Sequence, residues 1–202
     1  VLTGEGILPR LLLQTPPERA APEEDALENF DSFEENAAAK ALYFARLTGQ
    51  TALADDSGLC VDALGGAPGV RSKRFAQDHG VAAAPDDAAN NALLLRLLQG
   101  VPSAQRGARY VCAIAVATPR GLVGVEVGSC DGFILTAPEG KAGFGYDPLF
   151  YVPEERATFG AISAARKNLL SHRACAMRSV FPLLLSHLGE RAPVKVERAS
   201  PA

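Results

Sequence analysis

The sequence holds no CxxC pair, no long apolar run and no marked excess of either charge. Its four cysteines, Cys60, Cys112, Cys130 and Cys175, are widely scattered, which excludes the ligand spacing of a structural zinc site. They read as small buried hydrophobes of a reducing compartment. The longest apolar runs, such as Leu11–Leu13 and Val111–Ala117, fall far short of the roughly 20 residues that a membrane-spanning helix needs. With 20 basic against 23 acidic side chains the net charge is −3, so no overall positive field favours a nucleic acid or an anionic membrane as partner. Val1-Leu2-Thr3-Gly4 is not a basic segment leading into an apolar one, so no secretion signal is visible and a cytoplasmic location is expected. A GxSxG elbow, an HExxH pair and a Walker Gly-Lys-Ser/Thr ending are all missing. Nucleophilic triads, zinc hydrolysis and P-loop chemistry therefore lack a basis in the sequence.

What is present is an ordinary globular mixture, 48% hydrophobic and 21% charged over 202 residues, enough to fill the core of one domain. Ile7–Gln14 reads as a short strand weakened by Pro9, and Thr15 to Glu28 as an acidic loop. Ser32 precedes Glu35 by three residues, the spacing of a capping box, and Asn36 to Arg46 then predicts a helix closed by Gly49. Two short apolar stretches, Thr51–Ala54 and Leu59–Leu64, flank Asp55-Asp56-Ser57-Gly58, and Gly65-Gly66-Ala67-Pro68-Gly69 predicts a tight turn. Asp86 or Asp87 caps a helix to about Gln99 with Ala88, Leu93, Leu94, Leu97 and Leu98 as its apolar stripe. Arg109–Thr118 and Leu122–Ile134 predict an antiparallel pair joined at Pro119-Arg120-Gly121, with Val123, Val125 and Val127 alternating in the second strand. Gly140–Phe150 is a glycine-punctuated loop entering another strand. Ser163–Leu188 is the longest helical pattern, with Leu169, Leu170, Ala176, Val180, Leu184 and Leu188 as core positions and a kink or break expected at Pro182. Glu190–Ala202 reads as a frayed polar tail. Strands mixed with helices in this way predict an α/β or α+β domain.

Three stretches can carry chemistry. The paired carboxylates of Asp55-Asp56-Ser57-Gly58 suit a shared cation or an activated water, or else a solvated Asx-type turn. Gly65 to Arg74 sets bare backbone beside Arg71, Ser72, Lys73 and Arg74, which suits a phosphate grip or a tight turn followed by a solvated basic segment. Phe144-Gly145-Tyr146-Asp147-Pro148 offers a ring to stack on a base and an acid to accept a base N–H, or a core aromatic and a turn aspartate. Lys167 and His172 are five residues apart and do not share one face of an ideal helix, so a helix start near His172 or an intervening loop would free them for a ligand. His79 and His187 have no partner at ligand spacing and receive no role.

The order of these stretches is more specific than any one of them. Ser32-Phe-Glu-Glu-Asn-Ala-Ala-Ala-Lys-Ala41, Ala54-Asp-Asp-Ser-Gly-Leu-Cys-Val-Asp-Ala-Leu-Gly-Gly-Ala-Pro-Gly-Val70, Phe144-Gly-Tyr-Asp-Pro-Leu-Phe150 and Ser171-His-Arg173 follow one another. The chain thereby resembles the Ham1/RdgB-like inosine triphosphate pyrophosphatases, the non-canonical purine NTP pyrophosphatases, from about Glu28 to about Leu188. The resemblance implies an elongated α/β fold with a long mixed sheet and two lobes about a nucleotide cleft, and a homodimer. It implies Mg²⁺-dependent hydrolysis of ITP, dITP and XTP to the monophosphate and pyrophosphate, with no nucleic-acid or membrane partner. It places Glu28, Asp55 and Asp56 near metal and water, with Asp56 as the base. Lys40 and Lys167 would hold phosphate, and Ser57, Gly58, Ser72 and Arg74 would line the phosphate and base sites. Phe144 would stack on the purine beside Gly145 and Tyr146, while Asp147, His172 and Arg173 would read its edge.

The family's opening strand and Ser/Thr-Gly-Asn-x-x-Lys loop have no counterpart in Val1-Leu2-Thr3-Gly4-Glu5-Gly6, which lacks the Asn and the Lys. The expectation is one ITPase-like domain over residues 1–189 without that strand and phosphate loop, followed by the tail 190–202. Two other readings follow from this departure and from the chemistry. One is a relative that binds nucleotide without turning it over, and the other is a Maf-like nucleotide pyrophosphatase.

Overall fold

A computed structural model of the protein describes residues 27–189. The expected strand Ile7–Gln14, most of the acidic loop and the tail 190–202 lie outside the described residues. The helices are α1 (Phe33–Thr48), α2 (Phe75–Asp78), α3 (Asp87–Leu97), α4 (Ala164–Leu170) and α5 (His172–Gly189). The strands are β1 (Ala52–Val61), β2 (Gly107–Thr118), β3 (Gly121–Ile134), β4 (Phe150–Val152) and β5 (Ala157–Thr158). They form one sheet in the order β1-β2-β3-β4-β5. The four pairings among the described residues are antiparallel. The expected α/β class holds, with helices flanking the sheet.

Helix α1 begins where the sequence predicts. Ser32 Oγ accepts the Glu35 N–H and donates to the Glu35 carboxylate, and Gly49 ends the helix with φ 69°, a backbone conformation open to glycine at little cost. Ala37, Ala41 and Ala45 recur at a four-residue interval and lie against Ala113, Ala115 and Ala117 of β2. Small side chains on both sides let helix and sheet approach closely. The opposite face of β2 presents Cys112, Ile114 and Val116 to Ala176, Val180 and Leu184 of α5. Alternation along the strand thus serves two helices at once. A third cluster packs Leu59, Val61, Tyr110 and Phe150 of the sheet with Phe75, Leu93, Leu94 and Phe159.

Several sequence expectations are corrected here. Asp55-Asp56-Ser57-Gly58 is no turn: β1 runs unbroken through it, pairing Asp55 with Ile114, Asp56 with Ala113, Ser57 with Cys112 and Gly58 with Val111. Pairing along a whole strand outweighs the turn preference of four residues. Val123, Val125 and Val127 do not share one environment, because the ladder shifts register at Val116/Ala117 and skips Val123. Val123 joins the α5 cluster, Val125 joins the α1 cluster and Val127 is exposed. In α3, Ala88 and Leu97 are exposed, and Asn90 is buried alongside Leu93, Leu94 and Leu98. Asn90 accepts from the Ala76 N–H and donates to the Ser72 and Lys73 carbonyls, which satisfies a polar side chain inside the core.

The Ser163–Leu188 pattern is broken at Ser171 rather than at Pro182, and the helix continues through Pro182 to Gly189. Leu169 is exposed. Of the cysteines only Cys112 is buried; the other three are half-buried, and all four are free thiols. No helix of the described residues is long and apolar enough to cross a membrane.

Candidate active site

The break at Ser171 starts α5 at His172, so His172 and Arg173 stand on its first turn. Gly128 makes this possible: a Cβ there would lie 2.0 Å from the Ala176 nitrogen and 2.6 Å from the His172 carbonyl oxygen. Only glycine lets α5 sit this low on β3. His172 stacks on Tyr110 with ring centroids 4.7 Å apart. Burial, with the Arg173 and Lys167 charges adding to it, pushes its pKa down to about 3. The imidazole is therefore neutral at physiological pH.

A cleft of about 180 Å³ opens beside these rings. The structure brings Ser57, Gly58, Ser72, Phe144, Gly145, Tyr146, Asp147, Lys167, His172 and Arg173 to its wall, whereas Arg74, expected beside Ser72, is not among the lining residues and meets Glu28 instead. Phe144 is 61% exposed, and its ring faces two cations, the Lys167 ammonium at 4.6 Å and the Arg173 guanidinium at 5.5 Å. Asp147 is buried; its Oδ2 accepts the Phe144 N–H at 2.9 Å and also meets Lys167 Nζ. Tyr146 donates its hydroxyl to the Ser72 carbonyl, and burial raises its pKa well above the ordinary tyrosine value. The Ser72 hydroxyl is used internally, accepting the Leu59 N–H and donating to the Gly69 carbonyl. Gly58 is needed at that crossing, since a Cβ would meet Gly69 O at 2.3 Å.

A second cluster lies on the α1 side of β1. Lys40, buried in α1, donates to Glu28 Oε1 at 2.9 Å and to Asp56 Oδ1 at 3.0 Å. Asn36 donates to Asp56 Oδ2 at 3.1 Å, and Arg74 donates to the Glu28 carbonyl. Burial lowers the Lys40 pKa, but the Glu28 and Asp56 carboxylates outweigh it and the net shift is upward. Burial also raises the Asp56 pKa, with Lys40 and Asn36 opposing and Glu28 reinforcing. The charged lysine can bind an anion, and the carboxylate of increased basicity beside it can accept a proton.

The structure does not bring Asp55 into this cluster. Adjacent strand residues point to opposite faces, and Asp55 faces α5, where it accepts from Arg173 Nε at 3.0 Å while Arg173 also donates to Ser57 Oγ at 2.7 Å. Nor does it pair the two predicted phosphate lysines: Lys40 sits with the carboxylates and Lys167 at the aromatic cleft. Asn36, Asp87 and Tyr110 belong to these surroundings and were not singled out from the sequence. Nothing in their local pattern marks them, because each is brought in by a different element. Asn36 hides inside a helix already explained by its cap, and Tyr110 inside a strand explained by alternation.

The Ham1 family profile matches residues 7–183. The chain is 52% identical over 157 residues to the dITP/XTP pyrophosphatase of Desulforamulus reducens, covering 78% of this chain and 76% of that one. Among solved structures it resembles the Staphylococcus aureus Ham1 protein (TM-score 0.69, 37% identity, 82% of this chain and 80% of that one). It also resembles a HAM1 protein from Coxiella burnetii (TM-score 0.70, 32% identity, 87% of this chain and 96% of that one). A profile matched over most of the chain and relatives of this identity leave one assignment: the protein belongs to the Ham1 family.

Proposed function

We propose that this protein hydrolyses the non-canonical purine nucleoside triphosphates ITP, dITP and XTP to the monophosphate and pyrophosphate. The observation that carries the proposal is the placement of two unlike sites on the single strand β1. Asp56 joins the carboxylate–lysine cluster on one face, while Ser57 and Gly58 line the aromatic cleft. The Desulforamulus reducens relative, named a dITP/XTP pyrophosphatase, supports the same activity. One ITPase-like domain over residues 1–189, a homodimer and a cytoplasmic location go with this proposal.

In this reading Phe144 stacks on the purine, with Gly145 and Tyr146 holding the ring's loop. Hypoxanthine and xanthine present an acceptor at O6 and a donor at N1–H, whereas adenine presents the reverse. Arg173 is a donor in every state, neutral His172 can donate through one ring nitrogen, and Asp147 is an acceptor. Adenine would leave such groups unpaired inside the cleft, a mismatch worth orders of magnitude in selectivity. Lys167 and Ser72 complete the walls, while Arg74, bonded to Glu28, belongs to the phosphate end.

At the phosphate end, Asp56 takes the proton from the attacking water as it approaches the α-phosphorus. Lys40 meets the charge that develops on the phosphate oxygens. The donor set also suits Mg²⁺. Glu28 and Asp56 already converge on one cation, the Lys40 ammonium. No group of three possible metal ligands occurs among the described residues. Mg²⁺ accepts one or two protein carboxylates when water and phosphate complete its shell. Glu28 and Asp56 would hold it, and it would neutralise charge on the transferring phosphate. Asp55, on the other face, serves Arg173.

The test is pyrophosphate release from dITP, XTP, dGTP and ATP with Mg²⁺. Selective release from dITP and XTP is expected, and Asp56→Asn should fold normally yet lose about 10²–10⁴-fold in turnover. Equal rates on ATP would overturn the base selectivity. A folded wild-type protein that releases pyrophosphate from none of the four would overturn the activity itself.

A further inference from the structure

The ring of Phe144 is exposed on a loop bracketed by glycines, Gly143 with φ 79° and Gly145 with φ 60°. A stacking platform on such a segment needs something to fix its tilt, because an unconstrained loop would lose ordering entropy on every binding event. One side is fixed within the loop itself, where Asp147 accepts the Phe144 N–H. The other side is fixed from helix α3, by residues that the proposed activity does not use. Asp87 Oδ2 accepts the Gly145 N–H at 2.7 Å, and Asn91 Nδ2 donates to the Gly145 carbonyl at 2.9 Å.

Asp87 and Asn91 are four residues apart and so lie on one face of α3. Together they occupy the N–H and the C=O of the residue that follows Phe144. The contacts span 58 and 54 residues of sequence, so the pair joins two segments far apart in the chain at the cleft. Asp87 itself lines that cleft. A two-point grip on one glycine constrains rotation of the loop as well as its position, which a single hydrogen bond does not.

We infer that Asp87 and Asn91 are positioning residues that clamp the Phe144 loop and preorganise its ring to stack on the purine. The inference rests on the proposed purine nucleotide activity and extends it to residues that hold the loop through its backbone. The clamp acts on the base end of the ligand and leaves the phosphate end alone.

Calorimetric binding of IMP and of pyrophosphate to the folded full chain separates the two ends. Asp87→Ala combined with Asn91→Ala should weaken IMP by about tenfold, the scale of one lost stacking contact, while pyrophosphate affinity stays unchanged. Asp87→Asn, which keeps an acceptor oxygen for the Gly145 N–H, should restore most of the IMP affinity when Asn91 is intact. Equal IMP affinity in wild type and double variant would overturn the clamp while leaving the purine activity standing. A matching loss for IMP and pyrophosphate would also overturn it, since that is general loosening. A wild-type protein that binds pyrophosphate but no IMP would instead overturn the purine reading, and the clamp with it.

Discussion

Asp55 and Asp56 show how much one position along a strand decides. They are chemically identical, yet Asp56 is buried between Lys40 and Asn36 while Asp55 is exposed beside Arg173. Phe144 is the opposite case, a large apolar ring left in solvent at the mouth of a cleft. Because so little of it is buried, Phe144→Ala should leave the melting temperature nearly unchanged and raise KM for ITP by the equivalent of about 1–3 kcal/mol of stacking. A fall in melting temperature with KM unchanged would make the ring a packing residue instead. His172 carries a prediction about pH. Its folded pKa of about 3 lies below the ordinary 6.5, so between these values the unfolded chain binds a proton that the folded chain does not. Stability contributed by the neutral imidazole is thus full above pH 6.5 and declines as the pH falls towards 3, by about 1.4 kcal/mol per pH unit. Urea denaturation of wild type and His172→Gln at pH 7 and pH 5 should show the wild type losing ground to the variant. A difference between the two proteins that is the same at both pH values would rule this out.

At the scale of elements, the helices with caps were legible and the places where elements interrupt or prolong one another were not. The Ser32 cap, Gly49 stop and β2–β3 hairpin act through neighbours in sequence, and each stands where local chemistry puts it. The joining of the apolar stretches on either side of Asp55–Gly58 into the one strand Ala52–Val61 depends on ten cross-strand partners in β2, none of them nearby in sequence. The same holds for the close seat of α5 on β3, which rests on Gly128. Arg106 is the strongest instance. It is 3% exposed and donates to the carbonyls of Leu98, Ile134 and Leu135, tying the end of α3 to the end of β3. Arg106→Lys cannot reach three carbonyls with one ammonium and should cost about 2–3 kcal/mol through the acceptors it strands. Thermal or urea unfolding checks this, and a loss under about 0.5 kcal/mol, the usual effect of a surface substitution, would mean that water replaces the guanidinium.

Across the whole molecule, the candidate site draws on α1, β1, the segment after it, the N-terminus of α3, the 140–150 loop, α4 with Lys167 and the start of α5. The residue types were legible because the chemistry of phosphate, metal and purine restricts them: carboxylates, lysines, glycines and one exposed ring. Their order along the chain was enough to place the protein beside its family. Composition and periodicity likewise pointed to a fold that mixes strands and helices, because apolar spacing reports which faces are buried. Only the tertiary structure decided which of these groups meet. It set Asp55 and Asp56 on opposite faces, parted Lys40 from Lys167, and brought Asp87 and Asn91 to Gly145. The physical reason is one of range: caps, turns and alternation are fixed within a few residues, whereas a contact between strands or across the cleft depends on register and packing between segments far apart in the chain.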